Sequence, residues 1–224
     1  MNSFHLKIAA CLFMLVDHIG ALFFPDFIIF RIVGRFSFPL FAYLLAVGFT
    51  HTKNIYKYLG RLLVFALISQ PIFYLAFPGN ILNIFVTLFL GLVAIFLYEK
   101  SKNKLLSWLL VLLVAGLGEF IKVDYGWYGV LFPISFYLYL KNKNIYGLIF
   151  FQIILNIFFV LKYYIITQFN LFDPQIFIQF FSLVPLLTLK FYNGQIGKKF
   201  KYAFYAFYPG HLLFLVFIKN ILNI

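Results

Sequence analysis

His18 is the side chain in this sequence best suited to chemistry. An imidazole titrates near neutrality and can take or give a proton at physiological pH. It stands next to Asp17, in an apolar run, and ahead of two cations, Arg31 and Arg35. The cations are spaced i, i+4 and share one helix face. In an apolar setting they repel each other unless acids or an anionic ligand neutralise them. Asp17 is the nearest acid, with Asp26, Glu119 and Asp124 as others. Asp17 and His18 invite reading as a dyad, but adjacent helical side chains do not face each other. Asp17 is therefore expected to pair with Arg31 or Arg35, and a carboxylate that orients His18 is expected from another helix, from Glu119 or Asp124. Two readings of each group stay open: a reactive base or a histidine held by an interhelical hydrogen bond, an anion site or a charge network that only fixes packing. His211 follows Tyr208 by three residues on one face, with Pro209 between them. It reads as a second proton acceptor, a substrate contact, or a histidine packed beside a kink.

These groups sit in a chain of 224 residues that is 64% hydrophobic and 11% charged. Soluble domains are near half apolar and a quarter charged, and disordered chains are polar and poor in aromatics. Both classes are excluded, the second also by 34 Phe and 16 Tyr. The expectation is an all-α, polytopic transmembrane helix bundle, a single integral-membrane domain over 1–224. The net charge of +12 is read as the basic bias of cytoplasmic loops rather than as a nucleic-acid surface; no nucleic acid is expected, and the lipid bilayer is the partner. The first run, with Asp17 and His18 inside it and no small-residue cleavage motif, reads as a retained helix rather than a signal peptide.

A membrane-crossing helix needs about 20 mostly apolar residues. Loop signals divide the chain into nine spans, at 6–24, 27–50, 58–77, 81–98, 105–121, 125–140, 145–162, 174–190 and 202–222. With the N-terminus inside, each inner loop is basic and the outer side holds only Lys122, Lys162 and Lys219. That alternation predicts an external C-terminus. Pro39 lies four residues after Arg35 and removes the hydrogen-bond partner of its carbonyl, so a kink is expected there.

Ionisable residues inside a span are costly and mark functional sites by default. At about 1.5 Å per residue, Asp17, His18, Arg31 and Arg35 fall in the outer half of the membrane. So do Gln70, Asn83 and Thr87, while Glu119, Asp124 and Tyr128 flank the outer ends of two spans, and His211 is near the middle of the last. The expectation is a polar pocket open outward, with Gln70, Asn83, Thr87, Glu119, Asp124, Tyr128, Tyr208 and His211 as substrate-binding candidates around the catalytic candidates His18, Asp17, Arg31 and Arg35. Soluble catalytic motifs are missing: no Gly-rich phosphate loop, no His-Glu-x-x-His, no Gly-x-Ser-x-Gly. With four dispersed histidines and one cysteine, no metal site is expected.

Several runs resemble the TraX family: Leu15-Val-Asp-His18-Ile-Gly20, Arg31-Ile-Val-Gly-Arg35-Phe-Ser-Phe-Pro39, Gly48-Phe-Thr-His51-Thr, Ser69-Gln70-Pro71, Asn83-Ile-Phe-Val-Thr87, Asp124-Tyr-Gly-Trp-Tyr-Gly129, Tyr192-Asn-Gly194 and the Phe-Tyr-Pro before His211. The likeness covers almost the whole chain, in order. It implies an integral-membrane acyltransferase, in a family whose founding member is linked to acetylation of conjugative pilin. It further implies acetyl-CoA as a cytoplasmic co-substrate, whose phosphates would suit the basic inner loops through His51, Lys53, Lys57, Arg61, Lys198 and Lys199. Those loops are equally explained by topology alone. On this reading His18 is the general base toward an amine or hydroxyl acceptor, and Arg31 or Arg35 stabilises the oxyanion. The rival readings are a small anion or proton-coupled transporter built on Arg31, Arg35 and His18, and a non-catalytic membrane partner in envelope assembly. The acceptor is not specified by the sequence.

Overall fold

The structure, a computed structural model, describes residues 1–167, 177–198 and 200–222. Among them the secondary structure is helical, apart from one isolated bridge between Leu82 and Val123. The helices are α1 (Ser3–Phe23), α2 (Ile28–Gly34), α3 (Ser37–His51), α4 (Ile55–Ala76), α5 (Ile84–Lys100), α6 (Lys104–Phe120), α7 (Gly126–Asn142), α8 (Ile145–Thr167), a 3-10 helix (Ile178–Phe191) and α9 (Lys201–Leu222). Among the described residues five segments are long and apolar enough to cross a membrane: α1, α2 with α3, α4, α8 and α9. The helices follow the expected spans closely. Asparagine caps explain several starts: the side chains of Asn2, Asn54, Asn83 and Asn103 each accept a backbone N–H of the first turn, filling donors that a helix end leaves orphaned.

The expected helix over 27–50 is interrupted. α2 ends at Gly34, and its last turn tightens, with the Arg35 and Phe36 amides donating to the Ile32 and Val33 carbonyls at 3.2 and 3.1 Å. α3 restarts at Ser37 with Pro39 in its first turn, where a missing N–H costs nothing. Ser37 pins the break to α1 by donating its hydroxyl to the Ala10 carbonyl at 2.9 Å. The expected span at 174–190 is described from residue 177, and it is a 3-10 helix rather than an α-helix.

The residues form two compact units, Met1–Phe41 with Ile149–Ile224, and Ala42–Leu148. In the first, α1 packs against α2 and α9, and α2 against the 3-10 helix. α1 and α9 run parallel: Ser3 donates to the Gln195 carbonyl just before α9, Phe4 meets Phe204 at the amino ends, and His18 meets His211 further on. In the second, α5 packs against α4, α6 and α7 around a core that includes Leu92, Ile95, Phe132 and Phe136. A Cβ on Gly91 would lie 3.0 Å from Pro133 Cγ, closer than an ordinary contact, so the bare backbone admits the proline.

Candidate active site

In the first unit, α1 and α2 cross at two glycines. A Cβ on Gly34 would lie 2.0 Å from Asp17 Oδ1, and one on Gly20 would lie 2.2 Å from the Phe30 Cβ. Asp17 is thus seated on the bare backbone of Gly34. There its Oδ1 meets Arg31 Nη1 at 2.9 Å, and the same nitrogen lies 3.5 Å from the Asp17 carbonyl. The side chains are 15% and 32% exposed, so the pair is largely withdrawn from solvent. This is the pairing that the helix geometry predicted. Arg31 and Arg35 also face a common polar cavity of about 360 Å³, shared with Asp26, Tyr163 and Gln179.

His18 points to a different neighbour. Its Nδ1 lies 2.7 Å from His211 Nε2 on α9, and His211 Nδ1 lies 2.7 Å from the Phe207 carbonyl. The imidazole rings are within 4° of parallel with centroids 5.0 Å apart. That separation matches the nitrogen–nitrogen distance plus two ring radii, so the rings meet edge to edge in one plane, as a hydrogen bond requires. A carbonyl can only accept, so His211 Nδ1 carries a proton. In neutral His211 the Nε2 is then an acceptor, and His18 Nδ1 must donate to it. The lone pair of neutral His18 is left on Nε2. The chain Phe207 carbonyl, His211, His18 thus fixes the tautomer of neutral His18. The carboxylate expected behind His18 has a histidine in its place. Tyr208 is buried and sits beside both rings, at 6.2 and 5.8 Å between centroids, and the Phe207 ring lies flat on His211 at 4.8 Å.

Beside the pair runs an apolar groove of about 710 Å³ between α1 and α9, walled by residues such as Leu15, Ile19, Phe214 and Ile218, with His211 as its imidazole lining. Leu15 and Ile19 bracket His18 on the turns of α1, and Ala21 of the arginine cavity lies three residues beyond His18. His18 therefore sits between the face of α1 that lines the groove and the face that carries Asp17 and borders the cavity.

The other expected substrate contacts lie in the second unit and form their own cluster. Asn83 is fully buried. Its amide donates to the Ala66 carbonyl at 2.8 Å and to Gln70 Oε1 at 2.7 Å, and its oxygen accepts the Phe85 N–H at 3.0 Å. Thr87, also fully buried, donates to the Asp124 carbonyl at 2.7 Å. Glu119 accepts the Trp127 N–H at 3.3 Å, and Tyr128 is buried against Phe132. These groups hold the start of α5 and the turn before α7. Of the basic residues, His51 at the end of α3, Lys53 in the loop and Lys57 in the first turn of α4 are exposed, His51 with its Nδ1 at 2.8 Å from the Val47 carbonyl, and Arg61 lies over the Tyr58 ring at 5.3 Å. Lys198 is exposed before α9, and Lys199 lies outside the described residues. Among the described residues no group of three His, Cys, Asp or Glu side chains could hold a metal ion.

Sequence reasoning did not single out the Phe207 carbonyl, Gly34, Tyr163 or Gln179. Gly34 had a signal, a glycine between two arginines of a helix face. The Phe207 carbonyl had none, because backbone groups are invisible in residue types.

The family described as "TraX protein" matches residues 3–219. A curated relative, "Probable fimbrial assembly protein FimC, serogroup H1" of Dichelobacter nodosus, is 30% identical over 99% of this chain and 97% of its own length. An uncharacterized protein of Rickettsia prowazekii (strain Madrid E) is 28% identical over 43% of this chain and 37% of its own. No solved structure matches.

Proposed function

The chain belongs to the TraX family, and from that premise we propose that it is an integral-membrane acyltransferase with His18 as its general base. The observation that supports this reading most is the tautomer chain from the Phe207 carbonyl through His211 to His18, because it sets which nitrogen of neutral His18 carries the proton, as a general base requires. His18 Nε2 takes the proton of an acceptor amine or hydroxyl while the acceptor nitrogen or oxygen bonds to the thioester carbonyl carbon. The oxyanion so formed is stabilised by Arg31 or Arg35. When the carbon–sulfur bond breaks, the proton passes from His18 to the leaving thiolate. His211 is a positioning residue, acting through His18.

The donor we propose is a cytoplasmic acyl-CoA, with acetyl-CoA the form the family resemblance implies. Exposed Lys198, in the same unit as His18, suits its phosphates by charge. The relative named for fimbrial assembly makes a fimbrial or pilin-like peptide the first acceptor class to try. The membrane arrangement we propose is nine spans in the bacterial cytoplasmic membrane, N-terminus inside and C-terminus outside.

The test is incubation of purified protein, wild type and His18→Ala, with labelled acetyl-CoA and amino-terminal peptides. We expect acyl transfer and slow hydrolysis from the wild type, falling about 10²–10⁴-fold in His18→Ala. Full activity in a folded His18→Ala protein would overturn the mechanism. The arginine-lined cavity favours a second reading, a small anion transporter. Anion uptake by vesicles without any acyl-CoA, lost in Arg35→Gln, would select it.

A further inference from the structure

The cavity that Arg31 and Arg35 face lies at the carboxy end of α1, past His18. Ala21 lines it from α1, Pro25 and Asp26 from the turn that follows, and Tyr163 and Gln179 from α8 and the 3-10 helix. Ala21 is three residues beyond His18, about 4.5 Å along the helix. Exposed Lys198, suited to the donor's phosphates, stands before α9, whose amino end meets that of α1. Donor entry and cavity are therefore on opposite sides of His18 along α1. At about 360 Å³ the cavity is near the lower end of ligand sites, with room for one side chain and a few backbone atoms. Two guanidiniums, a phenol and a primary amide face it, against one carboxylate, exposed Asp26. Among the described residues Asp17 takes Nη1 of Arg31. That contact orients the guanidinium and leaves its Nε and Nη2 donors to the cavity it lines. The oxyanion of the transfer step is a single oxygen and needs one guanidinium. The wall has two.

We propose that this cavity holds a carboxylate of the acyl acceptor, so that the acceptor is a peptide with an acidic side chain within about four residues of its reacting amine. A carboxylate matches the planar fork of a guanidinium, and the Tyr163 hydroxyl and the Gln179 amide are donors of the same wall. The short path from the cavity back to His18 sets the spacing, because two to four residues at about 3.3 Å each span roughly 7–13 Å. With the carboxylate held, the neutral amine is delivered to His18. Its nitrogen bonds to the thioester carbonyl carbon as His18 Nε2 takes its proton, the carbon–sulfur bond breaks, and the proton passes to the thiolate. Asp26 on the wall opposes the acceptor's charge and limits its affinity. The inference rests on the acyl-transfer reading for its chemistry, but the cavity's choice of ligand is measured without turnover.

The experiment uses the full chain in an uncharged detergent and short peptides with a free amino terminus, a fluorophore at the other end, and a single glutamate at the second, third, fourth or fifth position. Glutamine replaces the glutamate in matched controls. Binding is read by fluorescence anisotropy without acyl-CoA, and transfer is then read with acetyl-CoA. In the best register the glutamate peptide is expected to bind about 10–100-fold more tightly than its glutamine control, with the preference shrinking as salt is raised. Arg35→Gln is expected to abolish the preference, Arg35→Lys to keep part of it, and Arg35→Glu to turn it toward a peptide with lysine at that position. Asp26→Asn is expected to tighten the glutamate peptide by up to about fivefold, which keeps the proposal testable where an arginine variant does not fold. Equal binding of glutamate and glutamine peptides in every register, or a preference that folded Arg35→Gln retains, would overturn the proposal. Displacement of the glutamate peptide by an equal concentration of free glutarate would also overturn it, making the cavity the free-anion site of a transporter. Acetyl transfer to glutamate and glutamine peptides with equal kcat/KM would overturn it while leaving the enzyme in place. A binding preference without transfer to any peptide would support the carboxylate site and remove the acyltransferase reading.

Discussion

Asp17 and Arg31 carry the most severe local consequence of any single substitution. Each is a charge in a segment long and apolar enough to cross a membrane, acceptable because the other is 2.9 Å away. Asp17→Ala leaves a half-buried guanidinium without its carboxylate, and breaking one partner of a withdrawn ion pair costs more than removing both. The double variant Asp17→Ala with Arg31→Ala should lose less stability than the sum of the two single variants, with a coupling of about 0.5–3 kcal/mol. Thermal unfolding in detergent reads the cycle, and strict additivity would mean the pair is not coupled. Gly34→Ala should resemble Asp17→Ala, because its new Cβ overlaps the carboxylate and forces α1 and α2 apart. The Asp17 pairing was legible in the sequence because adjacent residues on a helix diverge. The His18–His211 contact was not. The two residues lie at opposite ends of the chain, and no periodicity connects them. The rule that excluded a dyad said nothing about which helix would supply the partner. For His211, acting through His18, the expected mark of His211→Ala is a changed pH–rate profile of the surviving activity. Merely structural damage would lower the rate with the profile unmoved.

At the scale of helices, the sequence was read through its punctuation. Prolines, glycines and short charged loops gave segments close to the observed ones, and Pro39 announced a kink where α2 and α3 part. The 3-10 geometry of Ile178–Phe191 had no comparable mark, since apolar periodicity does not separate it cleanly from an α-helix in a segment apolar on most sides. The second cluster shows what the expected substrate contacts do to elements. Asn83 caps α5, and its amide ties that cap to Ala66 and Gln70 of α4. Asn83→Ala is expected to destabilise the protein by about 1–3 kcal/mol, from a lost cap and an orphaned buried acceptor. Thr87→Val, which leaves the Asp124 carbonyl without the Thr87 donor, should cost about 1 kcal/mol. Both are read by unfolding, and both should leave the Michaelis constant unchanged if these groups position helices rather than touch substrate. A raised constant at unchanged stability would return them to the substrate pocket.

For the molecule as a whole, the open quantity is how many times the chain crosses the bilayer. Among the described residues five segments are long and apolar enough to cross, and the expected count of nine depends on α5, α6, α7 and the 3-10 helix. Those α-helices have 17 residues each, about 25 Å at 1.5 Å per residue. The 3-10 helix has 14, but at about 2.0 Å per residue it rises roughly 28 Å. The shorter chain gains in that geometry the reach that α-helical winding would deny it. Against a hydrocarbon core of about 30 Å, all four are short by an amount that local thinning absorbs. The grouping of residues into two units was hidden from the sequence for a related reason: the change from one to the other falls inside α3 and α8, with no polar linker to mark it. Orientation, by contrast, rests wholly on Lys and Arg. If nine spans form with the basic loops inside, alkaline phosphatase fused after Ile224 is active and a green fluorescent protein there is dark. Fusions after Lys53, Lys102, Lys143 and Lys198 give the reverse, and one after Lys122 is again active. An active phosphatase after Lys102 would show that the helices near it do not all cross, and the outward placement of His18 would fall with that count.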